Sequence, residues 1–136
     1  MQYNPFKRGE YPVGVRTVEL TDESRANRTF PLEIWYPATE DNRGKDLDDA
    51  ARDRFRPAVM LPENSQDAVR NAQPANEQFP LILYSHCAVS HRRDGAFLCA
   101  HLASHGYVVA APEFIGDTMG EILSDAANAK NGATSL

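Results

Sequence analysis

Apolar and polar residues change their spacing several times along this chain, and each change predicts an element. From Val13 to Leu20, "VGVRTVEL", apolar and polar positions alternate with one slip in phase. Alternation of period two predicts a half-buried antiparallel strand. The turn formers "TDESRANR" follow, and then "FPLEIWYP" places Phe30, Leu32, Ile34 and Tyr36 on one face, with Glu33 and Trp35 on the other. Pro31 and Pro37 bracket this second strand, since proline gives up a ladder N–H. The two strands predict a hairpin, with Trp35 and Tyr36 read as sheet-packing residues.

Further along, "FPLILY" (79–84) and "YVVAA" (107–111) are continuous apolar runs. Strands covered on both faces, as in a parallel sheet between helical layers, show this pattern. Between them the period lengthens. Phe97 with His101, and Leu98 with Leu102, fall four apart and predict a helix over about 93–104 with an apolar stripe. Gly106 stands where a left-handed glycine would end it. The unit reads strand–helix–strand with parallel strands. After Phe114 a further helix is predicted to begin near Thr118, with Thr118 as N-cap and Glu121 completing a capping box. The segment 38–78 is charged, dotted with proline and poor in large apolar groups. It predicts a polar surface insertion with helical turns near 48–54 or 65–71. The fold class is therefore α/β, with one domain over 1–136 and a sheet that this chain leaves incomplete.

Composition narrows the function. The chain has 136 residues, 42% hydrophobic content and a formal charge of −5. Its Lys and Arg are scattered, which argues against nucleic acid as a partner. No run approaches the ~18 apolar residues of a membrane span. The N-terminal stretch lacks an apolar core of the kind a signal peptide carries, which makes a cytoplasmic setting the expectation. Two cysteines, Cys87 and Cys99, make neither a disulfide framework nor a metal knuckle. Cys99 reads as a buried helix residue. His101 and His105 share a helix face, but "HLASH" lacks the glutamate of HExxH and a third ligand, so no metal is expected. The turn "HCAVSHRR" contains no glycine and is unsuited to cradling a nucleotide phosphate. No cofactor is expected.

Chemistry concentrates where "FPLILY" ends, at Ser85-His86-Cys87. In open α/β sheets ligands bind beyond the carboxyl ends of the parallel strands, and "SHCAVSHRR" lies at such an end. Here the sequence resembles the α/β-hydrolase superfamily, in the branch of platelet-activating-factor acetylhydrolases and dienelactone-hydrolase-like esterases. The segments that carry the resemblance are "SHCAVSHRRDGAFLCAHLASHGYVVAAPEF", "PFKRGEYPVGVRTVEL", "FPLEIWYPA" and "AVRNAQPANEQFP". It implies a partial α/β-hydrolase fold, a small-molecule ester substrate and an acyl-enzyme mechanism in the parent family. It also implies that the backbone N–H of Ala88 is an oxyanion donor, with His86 supporting the loop. The family has glycine where Cys87 and Ser90 stand here. A left-handed backbone at Cys87 would cost ~1–2 kcal/mol. None of the eight glycines begins a Gly-x-Ser-x-Gly elbow. The expectation is thus the N-terminal portion of an ester hydrolase, inactive alone. Cys87 near His86 or His91 is the alternative nucleophile, and Glu113 and Asp117 are the acids on the same rim. The competing reading is a stand-alone, non-catalytic binding module, and an uncovered sheet edge would let either form self-associate.

Overall fold

The structure, a computed structural model, describes residues 4–132. Strands β1 (Val13–Asp22) and β2 (Arg28–Pro37) form the predicted hairpin, paired from Val13↔Pro37 to Asp22↔Arg28. Asp22 caps the turn by accepting the Ser24 N–H, and Ala26 and Asn27 take left-handed angles to reverse the chain. Next come the short strands β3 (Arg54–Phe55), β4 (Asn64–Ser65) and β5 (Val69–Arg70), then β6 (Leu81–Leu83), helix α1 (Ala96–Ser104), β7 (Val108–Pro112) and helix α2 (Met119–Gly132). The main sheet runs β5-β1-β2-β7-β6. β6 and β7 are parallel and adjacent, with α1 as their crossover, and β7 pairs antiparallel with β2. The expected strand–helix–strand unit is therefore present and joined to the hairpin in one sheet.

Strand register decides the core. Val13, Val15, Glu33, Trp35, Pro37, Val109 and Ala111 alternate onto one face and are fully buried or nearly so. Helix α1 covers that face with small side chains, Ala96, Cys99, Ala100 and Ala103, at spacings of three and four. Three sequence expectations are corrected here. On β2 the buried face carries Glu33 and Trp35, whereas Phe30, Leu32 and Ile34 are only half-buried. The α1 stripe of Phe97 and Leu98 faces outward, with Phe97 80% exposed, because the alanine face permits the closer approach to the sheet. β6 is not covered on both sides: Ile82 packs inward, but Leu81 and Leu83 are 62% and 75% exposed at the sheet edge.

The segment 38–78 contains no α-helix; the helical turns expected at 48–54 and 65–71 are replaced by turns and short strands. β3 and β4 pair with each other, and β5 adds to β1 in parallel. Phe55 and Ala68 enter the core, and Asp53 and Gln66 are buried with them. Interior hydrogen bonds explain the departure from helix. Asp53 N–H donates to the Ala68 carbonyl, and Gln66 N–H to the Asp53 carbonyl. At the helix ends the sequence signals hold. Gly106 has φ +90 and donates its N–H to the Ala103 carbonyl. Thr118 Oγ1 accepts the Glu121 N–H at 3.3 Å while Glu121 accepts the Thr118 N–H at 3.1 Å.

Candidate active-site loop

β6 ends at the rim where ligands bind in such sheets. Tyr84 continues the ladder by donating its N–H to the Ala110 carbonyl, and the chain then turns through Ser85–Ser90. His86 turns inward and is buried. Its Nε2 lies 3.2 Å from the Phe114 N–H, a group that can only donate, so Nε2 accepts. The proton therefore sits on Nδ1, which donates to the Cys87 carbonyl at 2.8 Å. The Phe114 ring rests against the imidazole, with centroids 4.6 Å apart.

The next residues face solvent. Cys87, Ala88 and Val89 are exposed, and among the described residues nothing accepts the Ala88 N–H. Cys87 does not take a left-handed angle. That conformation falls on Val89, at φ +62, where a β-branched residue is strained. The strained position thus lies between the two places where the family has glycine. Ser90 is buried, and its carbonyl accepts the Met119 N–H at 3.2 Å, which ties the loop to the start of α2. Val89 N–H adds a bond to the Asp117 carbonyl.

Beneath this loop lies an ionic network that the sequence reading did not assemble. Glu33, fully buried on β2, is met by three guanidinium groups. Arg70 Nη1 lies 2.8 Å from its Oε1, and Arg92 and Arg93 lie 3.3 and 3.2 Å from its Oε2. Thr17 Oγ1 donates to the same carboxylate at 2.7 Å. Arg70 also binds Asp53, which accepts from Gln66, which in turn accepts the Trp35 indole N–H at 2.8 Å. On the other side Arg92 grips Glu113 with its side chain and with its own N–H at 2.9 Å. Glu113 Oε1 lies 3.4 Å from His86 Nε2. The network links 38–78 to the rim loop through one carboxylate. Two signals for it lay in the sequence, a lone Glu33 between apolar neighbours and the Arg92-Arg93 pair closing the turn.

Electrostatics follow from burial. Burial alone pulls the Arg70 pKa down, but Asp53 and Glu33 together lift it above the usual arginine range. For Arg93 burial prevails against Glu33 and the pKa is lowered. Burial likewise lowers His91, opposed by Asp94 and Glu113. It pushes the buried Cys99 thiol up to about 12. A void of about 60 Å³ between Phe55, His91, Arg92, Arg93 and Glu113 is far below the ~300 Å³ of a small-molecule pocket.

The remaining histidines serve the opposite end of α1. His101 reaches the Pro5 carbonyl at 2.8 Å instead of packing on an apolar stripe, and His105 reaches the Lys7 carbonyl at 2.9 Å. Among the described residues no group of three or more His, Cys, Asp or Glu is placed to hold a metal. No helix among them is long and apolar enough to cross a membrane.

No curated protein matches the chain. Among solved structures it is similar to the ferulic acid esterase from Streptomyces cinnamoneus, with 26% sequence identity and a TM-score of 0.61. The likeness covers 79% of this chain and 35% of the esterase, so the chain spans about a third of that protein's length. The family model described as platelet-activating factor acetylhydrolase, isoform II, matches residues 54–130, which run from β3 into α2 and enclose the whole rim loop. With more than half of its length matched, and an α/β sheet similar to that of an esterase, the chain belongs to the platelet-activating factor acetylhydrolase isoform II family.

Proposed function

We propose that this chain supplies the oxyanion loop of a carboxylic-ester hydrolase. The observation that carries the reading is the Ala88 N–H, exposed at the carboxyl end of β6 and without an acceptor among the described residues. As an ester carbonyl is attacked its oxygen gains negative charge, and a fixed N–H donor at that point is worth ~3–4 kcal/mol. A backbone donor needs no particular side chain, so alanine suits the role. His86 holds the loop from within. His86 does not serve Cys87, one residue before the donor, as a base, because its Nε2 is engaged by Phe114 and its Nδ1 by a carbonyl. The sequence contains no Gly-x-Ser-x-Gly elbow to deliver a serine. The parent reaction is ester hydrolysis through an acyl-enzyme of the kind such esterases and dienelactone-hydrolase-like proteins use, and this chain alone is inert.

Acetate tests the donor, since its carboxylate mimics the charged oxygen. In an amide spectrum of the isotope-labelled chain, the Ala88 resonance shifts and saturates with acetate. An Ala88 amide that does not move overturns the assignment. Turnover of p-nitrophenyl acetate tests inertness: the chain is no faster than its Cys87→Ser variant, and a faster wild type would make Cys87 a nucleophile.

A second reading is favoured by one observation, the exposure of Leu81 and Leu83 on edge strand β6. In it this chain is a stand-alone, non-catalytic binding module that takes a partner strand, here a second copy of itself, at that edge by strand addition. Sedimentation distinguishes it: a dimer dispersed by Leu83→Lys supports pairing, and a monomer at all concentrations excludes the second copy.

A further inference from the structure

We infer that His86 is a positioning residue that sets the direction of the Ala88 N–H by holding the carbonyl of the same peptide unit. The inference rests on the reading of Ala88 as the oxyanion donor and adds the means by which that donor is aimed.

A peptide unit is planar and trans, so its C=O and N–H point in opposite directions. No cis bond occurs among the described residues. The carbonyl of the Cys87–Ala88 unit is bound by His86 Nδ1 at 2.8 Å, and the His86 side chain is fully buried. The carbonyl therefore points toward the protein interior, and the N–H of Ala88 points away from it, toward the open rim. Without the histidine this unit has two orientations to choose from. Ala88 and Cys87 are exposed, and the strained angle at Val89 immediately follows. The bonds of Val89 N–H to Asp117 and of the Ser90 carbonyl to Met119 hold the loop beyond Ala88, and the histidine holds the Cys87–Ala88 unit itself.

The ring can do this because its other nitrogen is fixed as well. Nε2 accepts the Phe114 N–H at 3.2 Å, and this bond permits only the tautomer protonated at Nδ1. Protonation of Nε2 would remove that acceptor and turn the nitrogen into a donor toward Glu113 Oε1, 3.4 Å away, so it is the Phe114 N–H that selects the tautomer. Glu113 is itself held by Arg92, and Arg92 by Glu33. Each link lies on a different element: β2, the β6–α1 loop and the end of β7. The imidazole thereby transmits the rigidity of the sheet to one amide.

The direct measurement needs no variant. In wild-type chain labelled with ¹⁵N and ¹³C, His86 carries its proton on Nδ1. A scalar coupling is then seen across the hydrogen bond from His86 Nδ1 to the Cys87 carbonyl carbon. A proton on Nε2, or no such coupling, overturns the inference. Two variants extend the test. In His86→Phe the volume remains but the donor is lost, and the Cys87 carbonyl and Ala88 amide resonances shift or broaden. In His86→Gln the side-chain amide can donate again, and both resonances return toward their wild-type positions. Unchanged resonances in His86→Phe also overturn the inference. Acetate separates it from the reading beneath it. If the coupling is present but Ala88 ignores acetate, the donor assignment fails and the positioning by His86 stands.

Discussion

Replacing Glu33 with glutamine keeps the size of the side chain and removes a charge that three arginines share. The contacts are 2.8, 3.2 and 3.3 Å. At an effective dielectric near 20, each is worth about 5–6 kcal/mol before the cost of desolvating the ions is counted. Desolvation takes back most of that sum, and loss of one partner from a buried pair typically costs about 3–5 kcal/mol. The loss is uneven. Arg70 keeps Asp53 and Arg92 keeps Glu113, whereas Arg93 is left with the Phe55 ring and a 3.5 Å contact to Thr17. The expected loss for Glu33→Gln is therefore about 3 kcal/mol, a large part of the ~5–15 kcal/mol that holds a typical domain together. Equilibrium urea unfolding measures it, followed by the fluorescence of Trp35, the single tryptophan and a fully buried one. The midpoint falls with little change in slope. Adding Arg93→Met to the variant removes the stranded charge and restores part of the loss, so the double variant is non-additive. A loss below about 1 kcal/mol, or strict additivity, would refute an account centred on Arg93.

Val89→Gly relieves a left-handed angle that costs ~1–2 kcal/mol in an L-residue, against ~0.5–1 kcal/mol of added chain entropy, so the unfolding midpoint rises slightly; a clear fall would contradict the strain at Val89. Thiol titration under native conditions labels Cys87 rapidly and Cys99 only on unfolding, because Cys99 is buried and its pKa stands at about 12; two fast thiols would refute this packing of α1. Thr118→Ala removes the cap of α2 and costs about 1 kcal/mol, read as lost helicity by circular dichroism. The Thr118 hydroxyl, with the Gly116 and Thr118 amides, holds the Glu121 carboxyl below its usual pKa. Its contribution is present above the ordinary glutamate value of ~4.3 and is lost as pH falls through the lowered one, so Glu121→Gln should abolish that acid-side change.

The elements with strict periodicity were legible in the sequence. The hairpin, the order β6-α1-β7, the glycine cap at 106 and the capping box at 118–121 all depend on spacing within a few residues. Misread faces share one cause. Hydrophobicity marked Phe97 and Leu98 as the buried side of α1, but the sheet selected the alanines because close approach depends on size as well as polarity. The burial of Glu33 was not legible because its partners are supplied by three separate segments that no local window contains. The segment 38–78 looked like surface because its interior contacts are hydrogen bonds from Asp53 and Gln66, which a polar composition conceals. At the rim, the His86-Cys87-Ala88 corner was visible through resemblance and position. The tautomer of His86 and the strain at Val89 needed coordinates, since both depend on the path of the backbone.

The pairing of β2 with β7 brings Leu32 to Pro112, and everything between them must be looped out before the ladder can close. Closing so long a loop adds a slowly growing entropic barrier, and chains rich in such distant contacts fold slowly. During synthesis the β1–β2 ribbon emerges long before β7 and must wait with Trp35 and Glu33 uncovered. Such an interval exposes the nascent chain to chaperone capture, and its length is set by translation speed across residues 38–112.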